Sequence, residues 1–159
     1  MNTNIVTIFI FLFSIFNLQF AQVVPAYTPI SLEKGGRGLS TNSIILNAED
    51  FEIDFRENAQ LTIYPNQFIW RLELILPEFR SGHLTISNWN IPSGGRLFIF
   101  NNSESYTGPY LQTNQSELIS GRFKSGNLIL EYSEPVLSEF QGNFTIAGIK
   151  PDYVADSVM

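Results

Sequence analysis

Three observations predict an all-β chain, folded as an antiparallel β-sandwich of jelly-roll-like form. Apolar and polar residues alternate with a period of two, turn-forming residues recur between these runs, and no stretch sustains a helical repeat. About eight or nine short strands fit this spacing.

The first residues do not belong to that pattern. Ile5 to Phe16 reads IVTIFIFLFSIF, an apolar run too short to span a bilayer, which takes about 20 residues. With Ala21 as the small residue at a cleavage edge, residues 1–21 read as a secretory signal peptide. Residues 22–42 carry Pro25, Pro29, Gly35, Gly36 and Gly38 and read as an extended arm and loop. The Gly-Gly-Arg-Gly run lacks the Lys-Ser/Thr of a phosphate-cradling loop.

Residues 43–153 are the expected sandwich, with 154–159 as a tail. Phe51, Ile53 and Phe55 alternate with Glu52, Asp54 and Arg56, and Trp70, Leu72, Leu74 and Leu76 with Arg71, Glu73 and Ile75. Leu84/Ile86, Leu97/Ile99, Leu128/Leu130/Tyr132 and Phe144/Ile146 continue the pattern. Successive side chains on a strand face opposite ways, so each set is one buried face. Pro77, Ser81-Gly82, Pro92-Ser93-Gly94-Gly95, Gly108-Pro109, Ser125-Gly126-Asn127 and Gln141-Gly142-Asn143 are the turn signals between strands.

The chain has 159 residues, 15 acidic and 9 basic, for a net charge of −6. That balance argues against nucleic acid, whose phosphates need a clustered basic surface, and against docking on an anionic membrane. With no cysteine there are no disulfides and no thiolate metal sites, so stability must come from sheet packing. A mature chain of about 138 residues is large enough for one core.

Catalytic chemistry has little to draw on. A serine relay needs a base, and the one histidine, His83, lies at a strand start with no nucleophile-elbow sequence anywhere. It reads as a surface strand residue, and no cofactor is expected. Asp50, Glu52 and Asp54 would project from one strand face about 6.6 Å apart. They are the candidate calcium ligands, although a straight strand does not curl round an ion that wants six to eight oxygens; the plainer reading is a solvated strand face. Trp89, Tyr106 and Tyr110, near expected loops, are candidate ligand contacts, as stacking aromatics for a carbohydrate. Trp70 is expected in the core. Asn101-Asn102-Ser103, Asn114-Gln115-Ser116 and Asn143-Phe144-Thr145 are formal glycosylation sequons.

A set of strand-and-turn pieces carries a resemblance. In order they are Trp70-Arg71-Leu72-Glu73-Leu74, Asn90 to Phe100 (NIPSGGRLFIF), Gly108-Pro109-Tyr110, Gly126 to Pro135 (GNLILEYSEP) and Gly142 to Ile149 (GNFTIAGI), closing with Tyr153. Together they resemble the amino-terminal β-sandwich domain of secreted bacterial trypsin-like serine endoproteases of the lysyl-endopeptidase type. The resemblance covers just over half of the chain. It implies a secreted, extracellular or periplasmic, non-catalytic accessory domain of such a precursor, cut off before the protease domain. Position 151 is Pro where that family tends to carry His. The partner implied is a trypsin-like protease domain. The alternative is a stand-alone extracellular module that binds carbohydrate or another surface.

Overall fold

The computed structural model describes residues 41–46, 51–76, 81–101, 105–124 and 126–152. The expected signal peptide, most of the arm, Asp50, Tyr153 and the tail lie outside these residues.

Eleven strands and one short helix are formed among them: β1 (Asn42–Ile45), β2 (Ile53–Asp54), α1 (Phe55–Asn58), β3 (Gln60–Ile63), β4 (Gln67–Ile75), β5 (Ser81–Asn90), β6 (Arg96–Asn101), β7 (Ser105–Tyr110), β8 (Leu118–Ile119), β9 (Phe123–Lys124), β10 (Asn127–Pro135) and β11 (Asn143–Pro151). The count exceeds the expected eight or nine because β2, β8 and β9 are two-residue pieces. Six strands make one sheet in the order β1-β4-β10-β6-β7, with β3 also on β4. Five make the other, β2-β11-β5-β8, with β9 also on β5. Neighbours are antiparallel except for β1 and β4. The consecutive strands β4, β5 and β6 alternate between the sheets. The chain is an all-β sandwich. Among the described residues no helix is long and apolar enough to cross a membrane.

The core is where the two inner faces meet. Leu72, Leu74, Leu97, Leu128 and Leu130 come from the larger sheet, Leu84, Ile86 and Ile146 from the smaller, all with 0% exposure. An aromatic cluster closes one end of it. Phe55 stacks on Phe144 at 4.4 Å, Tyr132 meets both edge-on, and Trp70 stacks on Tyr132 at 5.7 Å. Such pairs add about 0.5–1.5 kcal/mol each beyond the area they bury.

The alternate residues of the larger sheet are buried as well. Ile69, Arg71, Phe98, Phe100 and Glu131 point away from the core, yet all are less than 8% exposed. Arg71 Nε lies 3.6 Å from Glu131 Oε2 across the β4–β10 register.

Three local expectations are corrected. Phe51 to Arg56 is not one strand: β2 stops at Asp54, whose side chain accepts from Glu57 N and caps α1, so Phe55 turns into the core. Gly108-Pro109 is not a turn but lies inside β7, at a break in its register with β6. An edge strand tolerates proline because its outward side needs no donor. Ser81-Gly82 is likewise not a turn but the start of β5. Pro92–Gly95 does form a turn between β5 and β6, with Gly95 N donating to Pro92 O at 2.9 Å and Gly94 at φ +82°.

Candidate functional site

His83 has neighbours that the sequence did not reveal. Ser81 and His83 share one face of β5, and antiparallel pairing with β11 brings Asp152 beside them. The three residue types of a hydrolytic relay therefore meet, together with Arg122. Their wiring is different from a relay. His83 Nδ1 lies 2.8 Å from Ser120 O, a carbonyl that only accepts, so Nδ1 carries a proton. Nε2 faces Asp152 Oδ1 at 3.7 Å. Ser81 Oγ donates to Asp152 Oδ2 at 2.8 Å and accepts from Arg122 Nη2 at 2.8 Å. In a relay the imidazole stands between hydroxyl and carboxylate; here the carboxylate stands between hydroxyl and imidazole. The Ser81 hydroxyl, followed by the adjacent Arg122 guanidinium, holds the Asp152 carboxyl below its ordinary value. With Asp152 N donating to Ser81 O at 2.8 Å, the cluster clamps the end of β11 to the start of β5.

A second polar cluster lies under the opposite end of β11. Glu134 Oε2 accepts from the Tyr132 hydroxyl at 2.7 Å and from Gly142 N at 2.8 Å. Arg56 bonds Gly142 O at 2.6 Å, approaches Glu134 Oε1 at 3.4 Å, and lies 4.1 Å over the Trp70 ring. Burial, then the hydrogen bond to Glu134, raises the Tyr132 phenol far above its ordinary value, so it stays a neutral donor. These groups satisfy one another and lock α1 to the sandwich.

The candidate ligand residues are scattered. Trp89 is only 5% exposed, packs on Phe144 at 5.2 Å and donates from Nε1 to Leu111 O at 3.2 Å, so it is a core residue and not a stacking platform. The cause is a β-bulge. Asn88 has φ +52° where the β5–β11 register slips between Asn143 and Thr145, and the extra residue moves the buried phase from Ile86 to Trp89. Tyr106 is exposed but lies against Phe98 and Phe100 on the larger sheet, away from the other two. Tyr110 is half-buried, its hydroxyl donating to Thr107 Oγ1 at 2.9 Å and accepting from Gly121 N. Of the calcium candidates, Asp54 is engaged as the α1 cap and accepts from Asn143 Nδ2 at 2.7 Å, while Glu52 is exposed. Asp50 lies outside the described residues. Among the described residues no group of acidic or imidazole side chains is arranged to hold a metal ion.

Two clefts flank the segment between β7 and β8. One, of 610 Å³, opens over the bulge and is lined by Asp54, Asn88, Asn90, Asn114, Gln115 and Asn143, with Trp89 and Phe144 beneath. The other, of 780 Å³, lies on the far side of Asn114–Ser116 and is lined by Tyr110, Glu117, Leu118 and Ile119. Among the described residues no lysine, arginine or histidine lines either cleft. Volumes of this order match those of small-molecule sites. Periodicity gave no sign of these clefts; the local signals were the amide-rich runs Ser87-Asn88-Trp89-Asn90 and Thr113-Asn114-Gln115-Ser116. The fold and clefts define a β-sandwich with polar surface grooves. Compared with known protein families and with curated proteins, the chain matches no family model and no curated sequence.

Proposed function

We propose that the chain is a non-catalytic, exported domain that works by contact, as the amino-terminal sandwich of secreted lysyl-endopeptidase-type proteases does beside its catalytic domain. One observation carries this reading. The chain's single imidazole is bound into a strand clamp in which the serine hydroxyl donates its hydrogen bond to a carboxylate and not to the imidazole. A hydroxyl so engaged, with the base turned from it, is a poor nucleophile. The resembling pieces support the association, because they fall on β4, β6, β7, β10 and β11 and so contribute to both sheets of one sandwich.

The test is to purify the full chain and assay it on casein and on lysyl amide substrates, alone and added to a refolding trypsin-like catalytic domain. Inactivity alone, with an improved yield of active protease, is the expected result. Peptide hydrolysis by the chain itself, abolished by His83→Ala, overturns the reading. A second reading, an extracellular carbohydrate-binding module, is favoured by one feature: the amide-lined cleft above the β5 bulge, whose one charged lining residue among those described is Asp54.

A further inference from the structure

The segment 113–117 is the wall shared by two clefts of different chemistry. Asn114, Gln115 and Ser116 line both, and all three are exposed. On one side the lining is a set of primary amides, Asn88, Asn90 and Asn143. An amide presents a donor and an acceptor in one plane, which suits the paired hydroxyls of a sugar ring. On the other side the lining is amphipathic, with the Tyr110 ring, Leu118 and Ile119, the last 55% exposed. The Tyr110 hydroxyl is already bonded to Thr107 and Gly121, so the ring is fixed in place and its remaining surface is apolar. Sugar rings have such a division, with hydroxyls at the rim and C–H groups on the faces.

Charge narrows the ligand further. Among the described residues, Asp54 and Glu117 are the only ionisable side chains other than Tyr110 in the two linings, and both are acidic. Anionic ligands are bound through arginine, lysine or clustered backbone donors. Here an anion would meet two carboxylates and no cation.

The bulge sets the rim of the first cleft. Asn88 is the only non-glycine residue with positive φ among the described residues, and it sits exposed on the cleft. Its side chain donates to Thr145 Oγ1 at 3.2 Å, which holds its amide at the rim. The left-handed conformation belongs to the bulge that turns Trp89 into the core, and it leaves the Asn88 side chain exposed on the cleft.

From these we infer that the two clefts form one binding site for a neutral oligosaccharide laid across residues 113–117. One sugar hydrogen-bonds to the amides of Asn88, Asn114 and Gln115, and the next rests on Tyr110. This inference rests on the carbohydrate-binding reading and assigns its site and ligand class. With buried rather than fully presented aromatic surface, binding is weak, with Kd in the range of about 0.1–1 mM.

The experiment is a set of NMR titrations of the full chain with cellopentaose, xylopentaose, mannopentaose, maltopentaose and tri-galacturonate. The expected result is that at least one neutral oligosaccharide shifts the side-chain amides of Asn88, Asn114 and Gln115 and the ring of Tyr110. Asn114→Ala/Gln115→Ala, at exposed positions, is expected to raise Kd about tenfold or more. Asn88→Gly, which keeps the positive φ, is expected to fold and to weaken binding. If no neutral oligosaccharide binds, the inference falls together with the carbohydrate reading. If one binds with its affinity unchanged in the double variant, or if tri-galacturonate binds more tightly, the site or the ligand class assigned here is wrong while that reading stands.

Discussion

Gly142 is the position where a single methyl group should do the most damage. Its φ is not in the left-handed region, so backbone freedom is not the reason for glycine there. The reason is space. A Cβ would overlap the Tyr132 hydroxyl and stand 2.9 Å from both Tyr132 Cζ and Pro92 Cδ. Tyr132 is 1% exposed and wedged among Phe55, Trp70 and Phe144, so it has nowhere to retreat. Moving it breaks its bond to Glu134, a buried carboxylate that also accepts from Gly142 N. Overpacking of this kind costs about 1–3 kcal/mol, and a weakened hydrogen bond to a buried charge adds about 1–2 kcal/mol. Gly142→Ala should therefore cost about 2–5 kcal/mol, a drop in Tm of about 9–22 °C for a domain of this size. Differential scanning calorimetry reads this directly. Tyr132→Phe supplies the cross-check, because removing the hydroxyl removes the worst overlap. The double variant should be less destabilised than the sum of the singles, with a coupling of about 1 kcal/mol. A Gly142→Ala protein that melts within about 1 °C of the parent would refute the reasoning.

Arg56→Ala leaves the Glu134 carboxylate, with its side chain 1% exposed, without its cation; urea unfolding at neutral pH should show a loss of about 3–5 kcal/mol, partly restored by adding Glu134→Gln. Trp89→Ala should cost about 3–5 kcal/mol in the same assay, whereas an exposed stacking residue would change stability by less than about 0.5 kcal/mol. The Ser81–Asp152–Arg122 clamp should show in the acid limb of stability. The Asp152 carboxyl is held below its ordinary value of 3.8, so its contribution is complete above that pH and is lost as pH falls through the lower, folded-state value. The difference in urea midpoint between the parent and Asp152→Asn should therefore be constant from neutral pH down to about 5 and shrink below 4. A difference that persists unchanged in strong acid would show that the clamp does not act through the ionised carboxylate.

The sequence by itself determined that this chain folds as a sandwich and which face of most strands is buried. Leu72/Leu74, Leu84/Ile86, Leu97/Ile99 and Leu128/Leu130 all face the core as their alternation requires, because the period of two is a property of each strand alone. Local chemistry also settled the Pro92–Gly95 turn. What it left open was every relation between distant segments. One extra residue at Asn88 reversed the phase of β5 and sent Trp89 inward, and a bulge is defined only by its partner strand. Asp54 reads as a strand carboxylate until α1 is seen to start there. His83 reads as isolated until β11 pairs with β5 and delivers Asp152 from 69 residues along the chain, the separation of those two numbers. The amide-lined cleft exists only because residues 113–116 lie against that same bulge. Alternation is fixed by the geometry of one backbone, whereas partners, register and clefts follow from which backbones meet; only the tertiary structure decides that.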